Sequence, residues 1–128
     1  MPSPSQNAGR LGEDLAAEYL ESRGFKVLER NYRSLRAEVD LICFLPSERY
    51  GEGGELIFVE VKARKNSTFG HPEQAVDRDK RKNLIRAARA YLYERKIEGT
   101  PCRFDVVAIT GFGKQTILEH IESAFTIF

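Results

Sequence analysis

A chain of 128 residues fits one compact domain, and its 41% apolar and 30% charged residues, with 8 Phe and 5 Tyr, supply a core and exclude a disordered or fibrous protein. No apolar run reaches the length of a membrane span, and the two cysteines, Cys43 and Cys102, lack zinc-ligand spacing and point to a reducing, cytoplasmic setting. The net charge of +1 conceals an asymmetry: residues 13–60 carry 11 acidic and 6 basic side chains, residues 62–103 carry 12 basic and 5 acidic.

Residues 1–7 read as a disordered tail without the basic and apolar regions of a signal peptide. The spacing then predicts a helix over 8–23, with Gly24 as its stop. Leu11, Gly12, Leu15, Ala16, Tyr19 and Leu20 form its apolar side, and Glu13 falls at the edge of that side. Strands are predicted over 25–33, 37–45 and 56–63, with a polar, Gly-rich turn over 46–55. A loop over 65–72 leads to a basic helix from Asp77, a suitable N-cap, to Lys96, ended by Gly99 and Pro101. Its apolar stripe is Leu84, Ile85, Ala88, Tyr91 and Leu92, and Tyr93 is also expected to pack. A strand follows over 102–110, while the last segment fits either strand or helix. This order predicts an α/β domain over 8–128: a meander of three antiparallel strands, a parallel return after the basic helix, and helices on both faces of a mixed sheet.

Alternation along a strand places Leu56, Phe58, Glu60, Lys62 and Arg64 on one face and Ile57, Val59, Val61 and Ala63 on the other. Glu38 and Asp40 share a face with Ile42 and Phe44. Pairing through the 46–55 turn would bring Asp40 beside Glu60, with Lys62 alongside. Two adjacent carboxylates repel unless a cation lies between them, and oxygen donors suit Mg²⁺ or Mn²⁺. Glu13 and the Val61 carbonyl could complete such a shell. Arg64, Lys80 and Arg81 are candidate phosphate contacts, whereas His71 and His120 have no ligand spacing. The plain alternatives are a cross-strand salt-bridge ladder for Asp40, Glu60 and Lys62, and solvated charge for the basic helix.

Asp followed by Glu-x-Lys resembles the PD-(D/E)xK nuclease motif. The segments GRLGEDLAAEYLESRGFKVLERNYR, AEVDLI, LIFVEVKAR, AARAYL and RFDVVAI follow in an order that resembles the YraN family of bacterial proteins, which are similar to archaeal Holliday-junction resolvases. The resemblance runs from about Asn7 to Phe125 and implies a restriction-endonuclease-like αβββαβ core. It implies that Asp40 is the motif aspartate, Glu60 and Lys62 the Glu-x-Lys pair, and Glu13 the helix glutamate of the metal site. It further implies an endonuclease dependent on Mg²⁺ or Mn²⁺ and acting on nucleic acid, with DNA, branched DNA included, as the expected substrate and a homodimer as the expected assembly; the residues themselves leave DNA against RNA open. Ala37 stands where the family usually has Gly before Glu-x-Asp. A nucleic-acid-binding module without catalysis and a protein-interaction domain are the alternatives from other classes.

Overall fold

The computed structural model describes residues 4–47, 53–64, 78–111 and 115–125, with side chains from residue 10 onward. The described elements are α1 (Pro4–Ser22), β1 (Lys26–Ser34), β2 (Ala37–Pro46), β3 (Gly54–Arg64), α2 (Arg78–Glu94), β4 (Cys102–Thr110) and β5 (Ile117–Phe125). The predicted loop over 65–72, the Asp77 cap and His71 lie outside the described residues.

The strands form one sheet in chain order, β1-β2-β3-β4-β5. β3 and β4 run parallel at its centre, joined across one face by α2, and every other neighbouring pair is antiparallel. This is the predicted mixed α/β sheet with helices on both faces, consistent with a restriction-endonuclease-like core. β4 lies inside the sheet beneath both cores, so Phe104 to Ile109 is buried without alternation, as an internal parallel strand should be. The ambiguous tail is β5, antiparallel to β4. No described helix is long and apolar enough to cross a membrane.

Two cores sandwich the sheet. Under α1, Ala16, Ala17 and Leu20 pack with Phe25, Leu41, Cys43, Ile57, Val59, Val107 and Ile109. Under α2, Leu84, Ala87, Ala88 and Tyr91 pack with Val39, Ile42, Leu56, Phe58, Phe104 and Val106. Phe58, Phe104 and Phe125 stack in series there, with centroid spacings of 5.4 and 4.7 Å. Cys43 is fully buried, and burial pushes its thiol up to about 12, leaving it unreactive.

Both helices end in the same hydrogen-bonded turn. Phe25 N donates to Leu20 O and Gly24 N to Glu21 O, with Gly24 at φ 91°; the apolar pair Leu20 and Phe25 closes the cap. Ile97 N donates to Leu92 O and Lys96 N to Tyr93 O, with Lys96 at φ 55°. Lys96, not Gly99 or Pro101, therefore occupies the left-handed position that stops α2. Three further expectations change. α1 begins at Pro4, four residues before the apolar pattern starts, at a position whose missing N–H costs a helix nothing. Leu11, assigned to the apolar side, is exposed because the contact stripe is narrower, running through Gly12, Ala16 and Leu20. Tyr93 does not pack and is 86% exposed.

Candidate active site

The alternation read from the sequence holds along β3. Ile57 and Val59 enter the α1 core with Val61 against it, while Leu56 and Phe58 enter the α2 core. Glu60, next on that second face, meets the N-terminal part of α2 rather than more core. The Nζ atoms of Lys62 and Lys80 stand 3.3 and 3.1 Å from the same Glu60 oxygen, Oε1.

Along β2 the alternation breaks. Val39 and Ile42, of opposite parity, join the same core, so the strand turns over at Asp40 and Leu41. Across from this point Asn31 adopts φ 54° between Arg30 and Tyr32, which pair with Leu41 and Val39. Asparagine tolerates this left-handed conformation, which rotates the strand locally. The β2–β3 pairing ends at Leu41–Val59, immediately before Asp40 and Glu60. Where the ladder stops, the Val61 N–H donates instead to Asp40 Oδ2 at 2.8 Å. The carboxylate thus holds the two strands at a fixed splay, and Asp40 is anchored by backbone rather than by a flexible partner.

Electrostatics make this cluster unusual. Burial, then Glu60, then Glu13 and Glu38 push Asp40 up to about 7, against the pull of the Val61 amide. Burial and the neighbouring Lys80 push the Lys62 ammonium below its ordinary value. Arg36, Glu38, Asp40, Glu60, Lys80 and Asn83 line a pocket of about 210 Å³ that opens to solvent. A larger cavity of about 680 Å³ at the opposite end of β3, beside Phe44, Gly54 and Pro101, brings together no carboxylate pair.

Glu13 reaches this neighbourhood because of the residue before it. A Cβ built on Gly12 would lie 2.6 Å from the Ala63 Cβ, so only glycine lets α1 approach the end of β3 this closely. Gly12→Ala is expected to cost about 1–3 kcal/mol through overpacking and to displace Glu13 from Asp40. Urea denaturation checks the first effect; a midpoint equal to that of the unsubstituted chain would show that α1 is not held by this contact.

The remaining predicted residues are distributed as follows. Asp40, Glu60 and Lys62 are brought together; Glu13 acts on Asp40 from α1; Val61 contributes its amide to Asp40. Lys80, predicted as a phosphate contact, is built into the carboxylate cluster itself. Arg81 lies over the Phe125 ring at 5.5 Å, and Arg64 sits at the end of β3 opposite Thr110. Among the described residues, no three Asp, Glu, His or Cys side chains are grouped tightly enough to chelate an ion unaided. The oxygen-only donor set of Asp40 and Glu60, and the repulsion between them, nonetheless fit a hard divalent cation.

His120, which has no ligand spacing in the sequence, belongs to a second polar cluster. Asp105, 1% exposed, accepts from His120 Nε2 at 2.7 Å, from Arg103 at 2.8 and 2.9 Å, and from the Ser123 amide at 3.0 Å. Burial alone would raise Asp105, but these donors hold it below its ordinary value. Tyr19 Oη stands 3.2 Å from His120 Nδ1. The signal in the sequence was the aspartate inside the otherwise apolar run of β4.

Residues 12–109 match the family described as "Uncharacterised protein family UPF0102". A UPF0102 protein of Chlorobium limicola is 43% identical over 131 residues, covering 98% of this chain and 96% of its own. One from Syntrophotalea carbinolica is 40% identical over 119 residues, covering 93% and 91%. One from Persephonella marina is 35% identical over 119 residues, covering 93% of each chain.

Proposed function

We propose that this chain, which belongs to the uncharacterised protein family UPF0102, the YraN family, hydrolyses phosphodiester bonds in nucleic acid with a divalent cation. The observation that carries the reading is the charge cluster at the strand splay: a half-buried carboxyl at Asp40, pushed up to about 7, beside Glu60, which two lysine ammonium groups contact, with Asp40, Glu60 and Lys80 lining an open pocket. Such a cluster costs folding energy that packing does not offset, which supports a chemical role for it.

The second oxygens of Asp40 and Glu60 would hold Mg²⁺ or Mn²⁺, with Glu13 as a further carboxylate. When bound, the cation supplies Lewis acidity at the phosphate. The chain's own residues do the rest. The Val61 amide fixes Asp40, so the donor is positioned before substrate arrives. Lys62 hydrogen-bonds the attacking water and screens the charge that grows on the phosphate. Lys80, at the pocket wall, holds non-bridging phosphate oxygens. DNA, and branched DNA in particular, is the substrate this reading favours, with a cytoplasmic homodimer as the working form.

The test incubates the purified chain with labelled duplex, single-stranded and branched DNA and with RNA, in Mg²⁺ or Mn²⁺. Cleavage that stops with EDTA and falls by at least about a hundredfold in Lys62→Ala is expected. The second reading, a binding module without catalysis, is favoured by one observation: Glu60 Oε1 is already engaged by two lysines. Salt-sensitive binding without cleavage of any substrate would establish it and overturn the first.

A further inference from the structure

The β1–β2 hairpin carries two costs that no contact among the described residues offsets. Ser34 and Ala37 pair, leaving a loop of Leu35 and Arg36. Leu35 takes φ 54°, a left-handed conformation that two-residue loops normally give to Gly, Asn or Asp and that costs other residues roughly 1–2 kcal/mol. Its side chain is also fully exposed. Strain and apolar exposure at one tip, beside a candidate active site, call for an external partner.

The surroundings identify its chemistry. Leu35, Arg36, Ala37, Arg86 and Ala90 line a hollow of about 510 Å³. Arg36 also lines the pocket of Asp40, Glu60 and Lys80, so the hollow and the candidate active site share a wall. On α2, the exposed residues Arg78, Lys82, Arg86 and Arg89 follow one another at helical spacing along one side, and the exposed Tyr93 continues the row. One leucine among arginines offers too little apolar area for a protein interface or a bilayer, but it has the size of a wedge between stacked bases. A row of cations leading away from it matches a polyphosphate backbone.

We propose that Leu35 inserts into a base step of the bound nucleic acid while Arg36 and Arg86 grip the flanking phosphates, so that the site selects strands whose stacking opens beside the phosphate to be cut. The proposal rests on the phosphodiesterase reading for its placement of the cut, but its test does not depend on cleavage.

The probe is a labelled duplex carrying 2-aminopurine next to a single mismatch, compared with the fully paired duplex, in Ca²⁺ instead of Mg²⁺. The unsubstituted chain should raise 2-aminopurine fluorescence on binding. Leu35→Gly should bind the mismatched duplex at least about tenfold more weakly, the size of one lost base contact, without the fluorescence rise. Because glycine suits the left-handed position, its thermal midpoint should be unchanged or higher. Leu35→Met should keep the fluorescence rise. Arg36→Ala/Arg86→Ala should weaken binding to both duplexes and reduce the salt slope by about two. If Leu35→Gly binds and fluoresces like the unsubstituted chain while Mg²⁺-dependent cleavage persists, the wedge is wrong and the hydrolase reading stands. If the chain neither binds nor cleaves any nucleic acid at low salt, both fall. If Leu35→Gly instead converts a dimer to monomer in sedimentation with unchanged DNA binding, the tip is a self-contact and the wedge is overturned.

Discussion

Asp40→Asn is expected to make the protein more stable and to abolish hydrolysis. Asn can still accept the Val61 N–H, so the strand splay is retained, but it carries no charge to desolvate or to repel Glu60. The sign follows from the raised value of Asp40. Its carboxyl titrates near 4 in the unfolded chain and at about 7 in the folded one, so folding loses stability as pH climbs between the two, and the full cost is present above 7. Removing that cost should raise unfolding stability by about 1–3 kcal/mol near pH 8 without divalent cation, with little change near pH 4. On the proposed function, hydrolysis should fall by at least about a hundredfold, because a neutral amide would hold a divalent cation far more weakly than the carboxylate. Urea denaturation at the two pH values, beside a cleavage assay, separates the outcomes. A variant that still cleaves would remove Asp40 from the chemistry; one that loses both activity and stability would make it a structural residue.

The opposite response is expected at Asp105. Alanine there would strand the Arg103 guanidinium and His120, both largely shielded from water, and leave the Ser123 amide without its acceptor. Breaking a buried charged network from one side costs about 3–5 kcal/mol, a large share of the stability of a domain this size. The pH dependence is also reversed. A carboxyl held below its ordinary value contributes stability that is complete above about pH 4 and is lost as pH falls through its folded value. The unsubstituted chain should therefore show an acid limb in its unfolding free energy that Asp105→Ala lacks. Equal stability of the two proteins at neutral pH would show that the network contributes nothing net.

These two aspartates also mark how far the sequence could be read. β3 was legible because it is regular: Leu56, Phe58 and Glu60 face α2, and Ile57, Val59 and Val61 face α1, as period two demands. The nearness of Asp40 and Glu60 agrees with pairing through the 46–55 turn, but period two alone does not give it, because the alternation of β2 breaks between Val39 and Ile42. Period two does not give the mechanism that fixes Asp40 either, because it depends on the rotation of β2 opposite Asn31, and a single left-handed asparagine leaves no trace in a hydrophobic pattern. The link between Lys80 and Glu60 is not legible in the sequence, because it depends on how closely α2 approaches the sheet. The place of His120 is not legible either, because its partner, Asp105, lies on another strand beside a register shift between Phe104 and Val106. β5 was ambiguous because Leu118, Ile121 and Phe125 fit three- and four-residue spacing as readily as alternation. Only pairing with the edge of β4 makes it a strand.

The position of the parallel pair has a consequence for how the chain reaches this form. β1, β2 and β3 meet through short connections and can zip together as soon as they are made, whereas β3 waits for β4 until α2 and its flanking segments have closed a long loop. During that interval the central strand has one unsatisfied edge, and the run from Phe104 to Ile109 has no place to hide. The finished sheet instead exposes β1 and β5 at its margins. On β1, Lys26, Arg30 and Arg33 and a register shift between Val27 and Glu29 make strand addition by another chain unfavourable. At the β1 margin the hazard of association is thus greatest in a nascent or partly unfolded chain.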